Sequence, residues 1–501
     1  MARVPGRRPR LSALFRPAVS TQDQFDLVVI GAGPAGEKGA AQAAYFGKRV
    51  CVIERAPKPG GAAVNMGIPA KALRESALFF SGLRQRGLFG MELRVQPGIS
   101  LADFLPRERH AVDAAWELIH QNLQAHGVET IQGTARFVDS HSVEVTRYGQ
   151  PARRVTGGHF LLAPGAAPQA PVSFTVDDDV IVDSASVLTL QRIPSSMIVV
   201  GGGAIGCEYA CTFAALGVRV TLVHSRSRLL SHLDHDVSDA VRQAMTGRLN
   251  ITVLGEVDVH SVQVSERRAH VTLTDGLELS ADVVLACTGR VGNAGALDVE
   301  SVGIRTSARR FVQVDGQYRT AVPHIFAAGD VIGGSCLASA AMEQARVAVC
   351  HMFDVNYKRQ VSDVLPSAVW TIPEIATVGE AERSLLARGV PCETGTASYR
   401  LNTRGQMLGE TDGFVKLVFH PEDQRLLGVT IVGEGAVEGI HIGMTVIALG
   451  GTLDFFIQSA FNYPSLADAY KYAAYDGVQR LGRRRARYPG LPSVPRALVP
   501  D

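Results

Sequence analysis

Two glycine loops, each set between a buried apolar run and a helix-forming segment, limit most strongly what this chain can fold into. FDLVVI from Phe25 leads directly into Gly31-Ala32-Gly33-Pro34-Ala35-Gly36 and an alanine-rich stretch, and MIVV from Met197 leads likewise into Gly201-Gly202-Gly203-Ala204-Ile205-Gly206. Strand, glycine turn and helix in that order predict two βαβ units of parallel sheet. The glycines permit a tight turn and let backbone N–H groups approach a pyrophosphate, which the positive end of the helix dipole stabilises. Gly31, Gly33, Gly36, Gly201, Gly203 and Gly206 are therefore candidate nucleotide-binding residues, and two dinucleotide sites are implied.

The ends of the next strands distinguish the two sites. RVCVIE ends at Glu54, twenty-three positions after Gly31, where an acid accepts hydrogen bonds from a ribose. VRVTLV ends at His224 at the same interval from Gly201, with no acid, and Arg226 and Arg228 follow. An acid there would repel a 2′-phosphate, whereas a guanidinium can clamp one with two parallel hydrogen bonds. The second site is therefore expected to accept NADP(H), and nothing in it rejects the unphosphorylated ribose of NAD(H).

With 501 residues, 46% hydrophobic and 20% charged, the chain has globular composition and length for about three domains. A net charge of only +2 implies no nucleic-acid partner, and no apolar stretch approaches the roughly 20 residues of a membrane span. Small-molecule ligands, here nicotinamide nucleotides, and a cytoplasmic protein are the expectation. The seven cysteines include no Cys-x-x-Cys pair and no zinc-like spacing. They read as reduced and mostly buried thiols, with no metal site. The basic leader 1–24 and the basic, proline-rich tail 483–501 are expected to be disordered.

The layout of two fingerprints about 170 residues apart resembles the two-dinucleotide-binding flavoprotein family that includes glutathione reductase and dihydrolipoamide dehydrogenase. Further segments between 25 and 482 look like that family's motifs: Gly60-Gly61, GTARFVD around Ala135, Ala163-Pro164-Gly165, ACTGR with Gly289, and IFAAGD with Gly329 and Asp330. The resemblance implies FAD at the first site, with Asp330 on the ribityl chain. It also places the helix after Cys336, from about Ala338, as a candidate stabiliser of charge near flavin N1. Lys71 matches the lysine near flavin N5, and Glu208 its ion-pair partner.

The resemblance also shows what is missing. Where the disulfide reductases carry a cysteine pair in a segment like GGxCxNxGCIPSKxL, this chain reads GGAAVNMGIPAKAL from Gly60 to Leu73, with Ala63 at the first cysteine and the second lost in a one-residue shortening. Thiol–disulfide exchange needs a thiolate nucleophile, and alanine cannot replace it. The family's C-terminal His-Pro proton donor is also absent, with Tyr463 and Asp468 in its place. Within the family, VGEGAVEGIHIG (432–443) and AFNYPSLADAYKYAA (460–474) resemble the soluble pyridine nucleotide transhydrogenases. That resemblance implies ping-pong hydride transfer from NADPH through FAD to NAD+, with no proton relay. Two departures from the pattern, the shortened 60–73 loop and Ala163-Pro164-Gly165, keep an NAD(P)H oxidase or diaphorase, or a flavin-binding protein of weak turnover, as alternatives.

The expected architecture is α/β: an FAD-binding domain from 25–168 and 296–363, an NAD(P)-binding domain at 169–295, and an α+β domain at 364–482 that in this family forms the homodimer, with larger assemblies open.

Overall fold

The structure is a computed structural model describing residues 23–82 and 106–487. Its first layer grows from β1 (Gln24–Ile30), α1 (Pro34–Tyr45) and β2 (Val50–Glu54). α2 (Ile68–Phe80) and α3 (Pro106–Ala125) then precede β3 (Glu129–Gln132), β4 (Thr134–Asp139), β5 (Ser142–Thr146), β6 (Arg153–Leu162) and the short β7 (Ala166–Pro168). β1 lies between β2 and β6, parallel to both, with Leu27 opposite Val50 and Val28 opposite Phe160. Alternation decides what each face of β1 buries. Leu27 and Val29 pack under α1, whereas Val28 and Ile30 pack with Phe137 and Phe160. Each such side chain, removed fully from water, contributes about 2 kcal/mol before entropy is counted.

The second layer repeats the plan. β8 (Ile181–Asp183), β9 (Ser196–Val200), α4 (Ala204–Ala215), β10 (Arg219–His224), α5 (His235–Gly247) and β11 (Thr252–Gly255) are followed by β12 (Val259–Ser265), β13 (Arg268–Leu273) and β14 (Glu278–Ala281), then by β15 (Val283–Ala286). The parallel order is β11-β10-β9-β15-β8, and β12-β13-β14 form a separate antiparallel meander. β16 (Arg290–Gly292) pairs with β7, and β17 (Ile325–Ala327) returns to pair with β6 of the first sheet. α6 (Ala338–Met352) then covers α1, Ala345 and Val349 lying against Gly39.

The remaining chain forms β18 (Ser367–Val369), β19 (Ile375–Gly379), α7 (Glu382–Ala387), β20 (Glu393–Ser398), α8 (Thr403–Leu408), β21 (Phe414–Phe419), β22 (Leu426–Val432), α9 (Ala436–Ala448), α10 (Leu453–Gln458) and α11 (Ala469–Arg487). Its sheet is antiparallel, in the order β18-β19-β22-β21-β20. α11 sits so close to β20 that a Cβ on Gly395 would lie 2.1 Å from the Ala473 carbonyl oxygen.

The structure differs from the expected boundaries at both ends. Gln24 of β1 already pairs with Thr156, and Asp23 holds Arg153, so these two residues of the expected leader are part of the fold. The boundary at 482 falls within α11, which continues to Arg487 because arginine and alanine favour helix and the single Gly482 after the packed Leu481 does not interrupt it. The rest of the leader and tail lies outside the described residues.

Charges join the layers. Lys416 of β21 is 2% exposed and meets Asp234 at 3.1 Å, Asp236 at 2.8 Å and Glu382 at 2.7 Å. Asp234, the residue before α5, also accepts from the backbone N–H groups of Glu382 and Arg383. Burial opposes the Lys416 charge, but its hydrogen bonds to Asp236 and Glu382 outweigh that and raise its pKa above the ordinary lysine value. Removing one partner of a buried ion pair leaves the other charge unsolvated. Lys416→Met, which strands Asp234, is expected to lower the unfolding free energy by about 3 kcal/mol, read as an earlier urea midpoint; an unchanged midpoint would mean that the cluster holds nothing.

Candidate functional site

The two glycine loops are built from the same contacts. Gly31 has φ +100° and Gly201 φ +122°, backbone that favours glycine. A Cβ at Gly31 would lie 2.3 Å from the Ala163 carbonyl oxygen, and one at Gly201 would lie 2.3 Å from that of Cys287. Gly36 and Gly206 sit equally tightly, their hypothetical Cβ atoms 1.8 Å and 1.9 Å from the carbonyl oxygens of Gly31 and Gly201. The middle glycines differ: Gly203 has open space above it, and Gly33 meets only Gly61, at 3.8 Å. Outer glycines let helix and strands close up, and the middle one leaves the helix N-terminus approachable, which fits a pyrophosphate at each loop.

Around the first loop, Glu54 accepts from the Ala32 N–H at 2.6 Å and the Ala56 N–H at 2.8 Å, so its carboxylate is fixed beside the turn. Gly60, at φ +105°, donates to the Ala32 carbonyl, and Gly61, at φ +54°, approaches Gly33. Ala135 is buried on β4, whose entry residue Gly133 donates to the Glu54 carbonyl. Gly165, at φ +73°, accepts from the Asn293 N–H, and Gly289 accepts from the Gln169 N–H. Gly329 packs between Ala35 and Ala341, joining α1 to α6, which begins at Ala338. Beside it, burial raises the Asp330 pKa against the opposing Arg290 charge 3.8 Å away. Arg290 Nε is buried with no hydrogen-bond partner among the described residues, and polar donors of that kind are normally satisfied. A preformed glycine cradle, a fixed carboxylate and an unspent donor form a set that fits FAD.

At the second loop, His224 is buried against Gly202, and burial followed by the Arg242 charge lowers its pKa. Arg226 turns onto Ser231 and Arg228 onto Asp239. The cysteines of α4 are packing groups: Cys207 and Cys211 are fully buried, and burial pushes the Cys211 thiol up to about 12. Cys51 and Cys350 are buried too, Cys287 and Cys392 are half-buried and Cys336 is exposed, in line with the expectation of mostly buried thiols.

Lys71 and Glu208, 137 positions apart, meet through Nζ and Oε2 at 2.6 Å. The other oxygen of Glu208 accepts from the Trp370 N–H at 2.9 Å, so one carboxylate ties together α2, α4 and the loop before β19. Arg74, one turn after Lys71, is 3% exposed and donates twice to the Thr371 carbonyl. Arg290 ends the ACTGR segment and Arg74 directly follows the Gly60–Leu73 segment, yet no spacing rule assigns partners to them or to Trp370, because bonds here span up to about 300 positions. Ala63–Gly67, where the cysteine pair is missing, winds as a wide π turn into α2. Its Asn65 accepts from the indole N–H of Trp116 on α3 at 3.1 Å. Tyr463, at the position of the family histidine, is 68% exposed and shares a hydrogen bond with Thr403 at 2.9 Å. A cleft lined by Asp23, Arg49, Glu129 and Arg153 lies at the opposite strand ends from the glycine loops and contains none of these groups. Among the described residues, no three His, Cys, Asp or Glu side chains gather as a metal site, and no helix is long and apolar enough to cross a membrane.

Two glycine-loop sheets, joined by an ion pair between their helices and followed by an antiparallel α+β unit, define an oxidoreductase that binds two dinucleotides. The chain belongs to the pyridine nucleotide-disulphide oxidoreductase family, FAD-dependent enzymes that also bind a pyridine nucleotide, matching it over residues 25–345, and matches the family's dimerisation domain over residues 365–474. It is 38% identical over 460 residues to a soluble pyridine nucleotide transhydrogenase of Mycobacterium bovis, covering 91% of this chain and 98% of that one. It is 37% identical to one of Pseudomonas putida, covering 91% and 99%. Among solved structures it resembles LpdA of Mycobacterium tuberculosis, with a TM-score of 0.82 and 28% identity over 91% of this chain and 99% of that one. The flavoprotein disulfide reductase RclA of Escherichia coli, 24% identical with a TM-score of 0.80 over 90% of this chain and 99% of that one, shares the fold.

The glycine contacts predict separable losses. Gly31→Ala is expected to give protein purified largely without flavin, whereas Gly201→Ala retains flavin and loses nicotinamide nucleotide binding. The ratio of flavin to protein absorbance checks the first, and calorimetric titration with NADPH checks the second.

Proposed function

We propose that the protein is a soluble transhydrogenase that passes hydride from NADPH to NAD+. The observation that carries this reading is the Lys71–Glu208–Trp370 link, intact at the junction of the layers, in a chain whose Gly60–Phe80 segment contains no cysteine. Bound FAD supplies the two-electron carrier that accepts hydride from one nicotinamide and yields it to another. The overall exchange, NADPH and NAD+ giving NADP+ and NADH, releases no proton, so the reaction needs neither thiol nor histidine.

The chain's own residues bind and orient. Gly31, Gly33 and Gly36, with Glu54, hold the adenosine and pyrophosphate side of FAD, with the Gly60-Gly61 turn and Ala135 alongside. Gly165, Gly289, Gly329, Asp330 and the start of α6 at Ala338 hold the remainder. Gly201, Gly203 and Gly206 hold the nicotinamide nucleotide pyrophosphate, and His224, Arg226 and Arg228 face its ribose. Because the β10 strand ends in a buried histidine rather than an acid, a 2′-phosphate meets no carboxylate at the strand end itself. Lys71, fixed by Glu208, places a positive charge at the reacting end of the site. The domain at 365–474 pairs two copies into a homodimer.

Anaerobic titration tests the reading. Bleaching of the yellow protein by NADPH and recovery of the colour with NAD+ is the expected result. Recovery with oxygen or a quinone but not with NAD+ would assign an oxidase or diaphorase, and no bleaching would mean a flavin protein without turnover. Lys71→Met is expected to slow bleaching at least tenfold at unchanged flavin content; an unchanged rate would remove Lys71 from the chemistry.

A further inference from the structure

The groups around the expected 2′-phosphate position do not all favour an anion. Arg226 turns onto a neutral hydroxyl, that of Ser231, but Arg228 is spent on a carboxylate, that of Asp239 on α5. The backbone that carries Arg228 has little freedom: Leu229 and Leu230 are buried, and the Leu230 N–H donates to the Gly202 carbonyl at 2.8 Å. The helix that carries Asp239 is fixed as well, since Asp234 at its start is held by Lys416 at 3.1 Å. The contact therefore joins two fixed pieces of backbone. Other charges nearby are Arg242, one turn further along α5, and Glu256, both acting on buried His224.

Resting on the NADP(H) reading above, we propose that Asp239 is a specificity-determining residue whose carboxylate competes with the 2′-phosphate for Arg228 and so narrows the gap between NADP(H) and NAD(H) affinity. A ligand phosphate must displace the carboxylate before it gains the guanidinium, whereas a ligand without the phosphate leaves the pair intact. With side chains 37% and 61% exposed, the pair is solvent-screened and modest in strength, so it trims the preference without abolishing it. An enzyme that must release NADP+ before NAD+ can enter one site gains from such a trim, because a fully open arginine pair would retain the first product.

The test is calorimetric titration of the FAD-loaded holoenzyme with 2′,5′-ADP and with 5′-AMP at one fixed salt concentration, which reads the phosphate contact without hydride transfer. Asp239→Asn is expected to tighten 2′,5′-ADP by about two- to fivefold and leave 5′-AMP unchanged, with Asp239→Glu restoring the wild-type values. An unchanged 2′,5′-ADP affinity, or an equal change for both ligands, would overturn the proposal. Wild-type protein showing no preference for 2′,5′-ADP would instead defeat the NADP(H) reading; the proposal would then survive only if Asp239→Asn created that preference, and would fall if it did not.

Discussion

Everything at the ligand-binding edge depends on how closely two backbones approach at the end of each first strand. At Gly31 the opposing carbonyl is that of Ala163, and at Gly201 that of Cys287, each 2.3 Å from where a Cβ would stand. No side chain fits, so the loop can turn there only with glycine. That turn delivers the helix N-terminus, where the first-turn N–H groups have no intrahelical acceptor, to the sheet edge. Bringing α1 and α4 in this way fixes where Glu54, His224 and Glu208 emerge, because each lies on an element packed directly against its loop.

A second constraint is electrostatic and joins layers rather than strands. Glu208 takes Lys71 with one oxygen and the Trp370 N–H with the other, Arg74 reaches the Thr371 carbonyl, and Lys416 gathers Asp234, Asp236 and Glu382. All three clusters lie where elements distant in sequence meet. Buried charges are costly unless paired with good geometry, so each cluster is satisfied in only one arrangement of the layers. Lys71 of α2 is thereby held against α4 by the same bonds that set the layers against each other.

Much of this is legible in the sequence because it is local. Strand, glycine turn and helix follow one another within twenty residues, and their periodicity needs no long-range knowledge. The absence of a thiol at Ala63 is equally plain, as is the change from acid to histidine at the end of β10. Less legible were the bounds of the first strand and the last helix, where Gln24 joins β1 and α11 runs on to Arg487, since pairing and helix continuation there depend on neighbours. Burial of individual thiols also depends on tertiary surroundings, and Cys336 is exposed while Cys350 is not.

The sequence by itself determined the two nucleotide folds, the residues of their loops and the loss of thiol chemistry, because these follow from short-range sterics and from which functional groups exist at all. Only the tertiary structure decided that Glu208 meets Trp370 as well as Lys71, that Arg290 keeps an unspent donor beside Asp330, and that Arg228 faces Asp239 rather than open solvent. Those outcomes rest on distances across the fold, and spacing along the chain carries no information about which charges packing will bring within a hydrogen bond of one another.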